Sequence, residues 1–143
     1  MAISTIGTSM PTLKTETLPV SVESHIVIVR QAARRLAVEI KLSLVDQTKV
    51  VTAASELARN LLIYGGGGEV VLEVLQEGLR LGLRIHFIDK GPGIPDIDQA
   101  LRDGYTSGHG MGLGLGGAKR LVNEFTITSK AGEGTHVTIT RWK

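Results

Sequence analysis

Cysteine is missing from these 143 residues, which removes disulfides, thiolate nucleophiles and cysteine metal sites together. Aromatic side chains make up only 3% of the chain against 42% hydrophobic residues, so any core has to be built mostly from Leu, Ile, Val and Ala. An excess of one charge is lacking too. The 16 basic and 14 acidic residues leave a net +2, with no basic run interleaved with aromatics, and this argues against nucleic acid as a partner. No stretch approaches the ~18 consecutive apolar residues of a membrane helix, and the first residues show no basic-then-apolar leader. His25, His86, His109 and His136 have no metal-ligand spacing and read as surface or loop residues. What remains is the expectation of one cytoplasmic domain, large enough for a real core, with no membrane contact.

Hydrophobic periodicity divides the chain. Residues 1–14 are rich in Ser, Thr and Gly without a period and are expected to be disordered, leaving 15–143 as the domain. Residues 15–22 read as a strand, at an edge because of Pro19. Ser24 is a candidate N-cap for a helix in which Ile28, Ala32, Leu36 and Ile40 recur at helical spacing. Asp46 is a candidate N-cap for a second helix, 47–64, ended by the four glycines at 65–68. Residues 69–76 and 81–89 read as two strands turning at Gly78. Short helices are expected at 96–102 and 115–122, and a closing hairpin at 125–129 and 135–142. The reading is an α+β fold, a two-layer sandwich with helices on one face of a mostly antiparallel mixed sheet.

Two glycine clusters stand out against this scaffold. Asp89-Lys90-Gly91-Pro92-Gly93-Ile94-Pro95 follows an apolar alternating run, and Gly108-His109-Gly110-Met111-Gly112-Leu113-Gly114-Leu115-Gly116-Gly117 precedes a helix. Glycine lets backbone N–H groups approach a ligand, and a following helix adds its positive dipole end, so the second cluster reads as a phosphate cradle. No Gly-Lys-Ser/Thr phosphate loop is present. A dinucleotide fingerprint belongs after the first strand of a parallel unit, whereas this cluster comes late and after a hairpin.

The chemistry-bearing residues each admit two readings. Val50, Ala54, Leu57 and Leu61 form the apolar stripe of the second helix, and Glu56 with Asn60 lies along its edge. There they either look into a pocket, Asn as a neutral oxygen for Mg²⁺ and Glu as a proton acceptor, or form a solvated face with a Glu56–Arg59 pair. In the strand 81–89, Leu81, Leu83, Ile85, Phe87 and Asp89 share one face. Period two thus aims the Asp89 carboxylate at the core side, where it needs a partner. Either it closes the turn on nearby amides, or it accepts a hydrogen bond from an exocyclic amine such as that of adenine. Thr135, after Gly134, either touches a nucleotide or simply favours a strand.

The order Glu56-x-x-x-Asn60, Asp89-x-Gly91-x-Gly93, residues 108–114 and Gly134-Thr135 resembles the GHKL ATPase superfamily, over about residue 15 to the end. Within it, Ser55-Glu56-Leu57-Ala58-Arg59-Asn60 and Gly112-Leu113-Gly114-Leu115-Gly116-Gly117 resemble the RsbT-type stressosome switch kinases of bacteria. The resemblance implies the Bergerat-type ATPase fold and ATP with Mg²⁺ as cofactors. It implies that Glu56 is the general base, that Asn60 holds Mg²⁺, and that Asp89 reads the adenine amine. Gly91, Gly93 and Ile94 would bend around the base, and Gly108, His109, Gly110, Met111, Gly112, Leu113 and Gly114 would close over the phosphates as a lid that moves without nucleotide. Thr135 would sit near the adenine. The implied activity is phosphorylation of serine or threonine in STAS-domain partners, a scaffold and an antagonist, with activation of a PP2C-type phosphatase on release. No phosphoacceptor helix pair is present, and the connection from Ile94 to Gly108 implies a small lid. An anti-sigma-factor kinase and a non-catalytic nucleotide-gated binding module are the neighbouring readings; an NAD-binding fragment is a distant one.

Overall fold

A computed structural model describes residues 11–94, 96–102 and 114–143. In chain order the elements are β1 (Thr12–Val20), α1 (Glu23–Glu39), α2 (Leu44–Ile63), β2 (Gly68–Glu77), β3 (Arg80–Asp89), α3 (Ile97–Ala100), α4 (Gly114–Lys119), β4 (Glu124–Lys130) and β5 (Gly134–Trp142). The strands form one sheet in the order β1-β2-β3-β5-β4. Every pairing is antiparallel, so the expected mixed sheet is uniform among the described residues. A parallel βαβ unit, which dinucleotide binding of the NAD type requires, is absent from them.

Alternation along the strands builds the two layers. Val70, Leu72 and Val74 of β2, Leu83, Ile85 and Phe87 of β3, and Val137 and Ile139 of β5 point to one face and are buried against α1 and α2. The helices return Ile26, Val29, Leu36, Val50, Leu57 and Leu61. Each such side chain contributes about 1.5–3 kcal/mol on burial, and among the described residues Phe87 is the one aromatic ring fully inside this layer. Ile28 does not belong to it. It is 46% exposed, because the buried stripe of α1 runs through Ile26, Val29, Ala33 and Leu36 instead.

Several expected boundaries move, each for a local reason. The first strand starts at Thr12 and not at residue 15, since the ten-residue β2 offers pairing partners as far as Leu75, and Gln76 N–H donates to the Pro11 carbonyl at 3.1 Å. Pro19 does lie in an edge strand, β1 pairing with β2 alone. Helix α1 begins before Ser24. Val22 takes the extended cap conformation without a side-chain cap, and His25 Nδ1 reaches back to accept the Ser21 N–H at 3.1 Å. The cap of α2 is Ser43, whose hydroxyl accepts the Asp46 N–H at 3.1 Å. Asp46 sits inside the first turn and spends its carboxylate on Arg141 at 2.6 Å. Helices α3 and α4 are shorter than the sequence suggests. Asp96 caps the first through the Gln99 N–H at 3.0 Å, and the second closes with a tight Leu121 N–H to Ala118 carbonyl bond at 3.1 Å.

The outward face of the sheet is polar. His86 and His136 lie there on adjacent central strands, 3.1 Å apart between Nδ1 and Nε2, with His86 Nε2 at 2.8 Å from Glu73 Oε1. They are half-buried strand residues and not the surface or loop residues their spacing suggests. With the Nε2–H of His86 donated to Glu73, its Nδ1 accepts from the Nε2–H of His136. Burial, and then the neighbouring His86, hold the His136 imidazole below its ordinary pKa.

Candidate active site

One cross-strand row sets the floor of the site. Asp89 at the end of β3 pairs directly with Thr135 of β5, and Thr135 pairs with Ser129 of β4. All three fall on the helix-facing phase of their strands, one pleat repeat beyond the apolar row of Phe87, Val137 and Ile127. Asp89 Oδ1 accepts the Gly91 N–H at 2.8 Å and the Thr135 N–H at 3.3 Å. The turn-closing role therefore occupies one carboxylate oxygen. Gly65 comes so close that a Cβ there would lie 2.4 Å from Asp89 Oδ2, so only glycine fits beside this carboxylate. Gly65 in turn crowds Gly91, where a Cβ would meet the Gly65 carbonyl at 2.6 Å.

Helix α2 supplies the facing wall. Leu57, Asn60, Leu61 and Tyr64 line the same cavity as Asp89, with Gly65 at its edge. The helix ends there because Gly66 and Gly67 take positive φ, and the Gly67 N–H turns back to the Leu61 carbonyl at 2.9 Å. Glu56, one turn before Asn60, is 8% exposed and lies outside the cavity lining. Its Oε1 is 3.7 Å from Arg59 Nη1, and among the described residues its buried Oε2 has no hydrogen-bond partner. An unfilled carboxylate oxygen in that position is costly unless something donates to it.

The connection after β3 closes the cavity from above. Pro92, Gly93, Ile94, Asp96, Gln99 and Ala100 line it, joined by Gly114 and Leu115 at the start of α4. Gly93 has φ +83°, and a Cβ there would meet the Lys130 carbonyl at 2.6 Å, so the loop is held tight against the β4–β5 hairpin. The volume is about 310 Å³, at the small end of ligand sites. Acceptors from Asp89 and Thr135 stand at one end, Phe87, Val137, Leu57 and Ile94 give apolar walls, and Asn60 adds an amide oxygen and nitrogen. That arrangement suits a flat heterocycle with an amine at its edge and polar groups extending toward Asn60.

The structure thus brings Asn60, Asp89, Gly93, Ile94, Gly114 and Thr135 to one cavity, places Gly91 directly behind it, and leaves Glu56 buried one helical turn away. Gly108, His109, Gly110, Met111, Gly112 and Leu113 lie outside the described residues. Among the described residues no cluster of three or more His, Asp or Glu side chains could hold a metal ion. The donor set still fits Mg²⁺, which is held by one or two protein oxygens together with substrate phosphates and water. Sequence reasoning missed Gly65 as a steric neighbour of Asp89, the polar lining residue Gln99, and Ser129. Period two was the available signal for the last, since Phe125, Ile127 and Ser129 share the inward phase.

Comparison with known proteins agrees with this geometry. Residues 45–143 match the family described as histidine kinase-, DNA gyrase B-, and HSP90-like ATPase. Over 120 residues, 84% of this chain and 90% of the relative, the sequence is 44% identical to the serine/threonine-protein kinase RsbT of Bacillus subtilis (strain 168). Among solved structures, the RsbU and RsbW domains of Rv1364c from Mycobacterium tuberculosis superpose with a TM-score of 0.59 at 24% identity. That match covers 93% of this chain, which spans 33% of the longer one. A chain of the SiaB–SiaC complex from Pseudomonas aeruginosa gives a TM-score of 0.50 at 14% identity, covering 92% of this chain and 91% of its own. These two likenesses speak to the fold.

Proposed function

This chain belongs to the histidine kinase-, DNA gyrase B- and HSP90-like ATPases and, among them, to the RsbT-type serine/threonine-protein kinases, and we propose that it phosphorylates STAS-domain partners with ATP and Mg²⁺. The observation that carries the reading is the unpartnered Glu56 oxygen one helical turn from a cavity shared by Asn60 and Asp89. The base enters between Phe87, Val137 and Leu57, with its amine toward the Asp89 carboxylate. The triphosphate runs toward Asn60, whose amide oxygen would hold Mg²⁺, the ion that neutralises phosphate charge when bound. Glu56 Oε2 accepts the proton of the incoming serine or threonine hydroxyl. The new oxygen–phosphorus bond forms as the β–γ bridging bond breaks, and ADP leaves. Positioning and charge compensation supply most of the acceleration.

The partner side of the proposal is a switch: a STAS scaffold and antagonist hold the kinase, and release lets it activate a PP2C-type phosphatase. The name of the 44% identical relative supports the kinase half directly. Incubation with labelled ATP and a STAS-domain protein, followed by mapping of the modified residue, tests it. Glu56→Gln is expected to slow transfer by about 10²–10⁴-fold while leaving nucleotide affinity intact. Unchanged transfer would remove Glu56 from the chemistry. Pull-down of a phosphatase N-terminal domain against a sigma factor separates this switch from an anti-sigma role.

A further inference from the structure

Ser129 has no part in the assignments above, yet its hydroxyl ties its own strand to two segments at the base end of the cavity, the loop at Ile94 and the start of β5. It accepts the Ile94 N–H at 2.7 Å, lies 3.2 Å from the Gly134 carbonyl, and lies 2.8 Å from Thr135 Oγ1. A serine hydroxyl has one proton and two acceptor positions. If that proton went to Thr135, the Ser129 oxygen would face the Gly134 carbonyl oxygen at 3.2 Å with no hydrogen between them. Donated instead to Gly134, it leaves both acceptor positions filled, one by Ile94 N–H and the other by the Thr135 O–H. The second arrangement satisfies every group in the cluster.

The consequence falls on Thr135, which lines the cavity next to Asp89. With its proton turned back to Ser129, Thr135 shows the cavity only lone pairs. Asp89 is likewise an acceptor, its own Oδ1 fixed by the Gly91 and Thr135 N–H groups. We infer that Ser129 is a positioning residue for base selection: by fixing the proton of Thr135 it makes the base end acceptor-only, favouring a 6-amino purine over a 6-oxo purine. The inference rests on the ATP reading of this cavity and adds to it the residue that sharpens the choice.

Removing the Ser129 hydroxyl frees the Thr135 proton to point inward and meet an oxygen. The test compares binding of Mg-ATP and Mg-inosine triphosphate, which carries an oxygen where ATP has an amine, by calorimetry on the full chain. Ser129→Ala is expected to narrow the ATP-to-inosine preference by about tenfold, and Ser129→Thr, which keeps a hydroxyl, to restore it. Thr135→Val removes the hydroxyl that Ser129 orients and is expected to narrow the preference as well. In the Thr135→Val background, Ser129→Ala should change it no further. Equal weakening of both nucleotides in Ser129→Ala, or an unchanged preference in Thr135→Val, overturns the inference and leaves the kinase reading standing. Failure of the unaltered protein to bind ATP overturns both.

Discussion

Two neighbouring rows of the same sheet face, about 7 Å apart along the strands, have opposite characters. Leu18, Val70, Phe87, Val137 and Ile127 run across all five strands without a polar atom in their side chains. One pleat repeat further, the row reads Val20, Gly68, Asp89, Thr135 and Ser129. The first row packs under the helices, with Phe87 and Val137 also walling the cavity, while the polar end of the second opens into it where α2 ends at Tyr64 and hands over to glycines. Backbone pairing is the same in both. The difference shows that this fold makes a site by continuing its core pattern past the end of the covering helix and exchanging apolar side chains for acceptors.

The sharpest way to break the comparison is to damage each row separately. Val70→Ala, in the apolar row, fully buried and outside the cavity lining, is expected to cost about 1.5–3 kcal/mol in urea unfolding, while ATP affinity of the folded protein stays within a factor of about two. Asp89→Asn should do the reverse. Its retained oxygen still accepts from Gly91 and Thr135, so the melting temperature is expected to hold, and ATP affinity to fall about 30- to 100-fold, as measured by calorimetry. If both variants lose stability and affinity together, the two rows are one cooperative unit and the division between them is wrong.

The smallest effect concerns the neighbour of Thr135 on the opposite face. The folded-state pKa of His136 is depressed, so the unfolded chain binds more protons as the pH drops through the ordinary imidazole range near 6.5. Stability from this group is therefore present above that range and is lost as pH falls through it toward the depressed value. His86 lies against the same ring, with Glu73 beyond it. His136→Gln is expected to reduce the difference in urea midpoint between pH 7.5 and pH 5.5, with nucleotide affinity unaltered at either pH.

Much of this was legible in the sequence where one periodicity acted alone. The stripe through Val50, Ala54, Leu57 and Leu61 fixed the face of α2, and with it the positions of Glu56 and Asn60. Alternation through Leu83, Ile85 and Phe87 put Asp89 on the inner side. Legibility failed where a side chain chose between local and distant partners. Asp46 looks like a cap in sequence, but Arg141, 95 residues away, claims its carboxylate and Ser43 does the capping. Ser24 has the right chemistry for a cap and the wrong neighbour, since His25 already holds the Ser21 amide. Ser129 sits in a strand of alternating Thr and apolar residues, and its importance depends on Ile94, 35 residues earlier in the chain.

The contact between Gly65 and Asp89 has an evolutionary corollary. One added methyl group at residue 65 would collide with the carboxylate at 2.4 Å, displacing it while every chemical group of the site persisted. Such a descendant would keep its sheet and its helices. The room left beside this carboxylate is set by the absence of a single carbon atom.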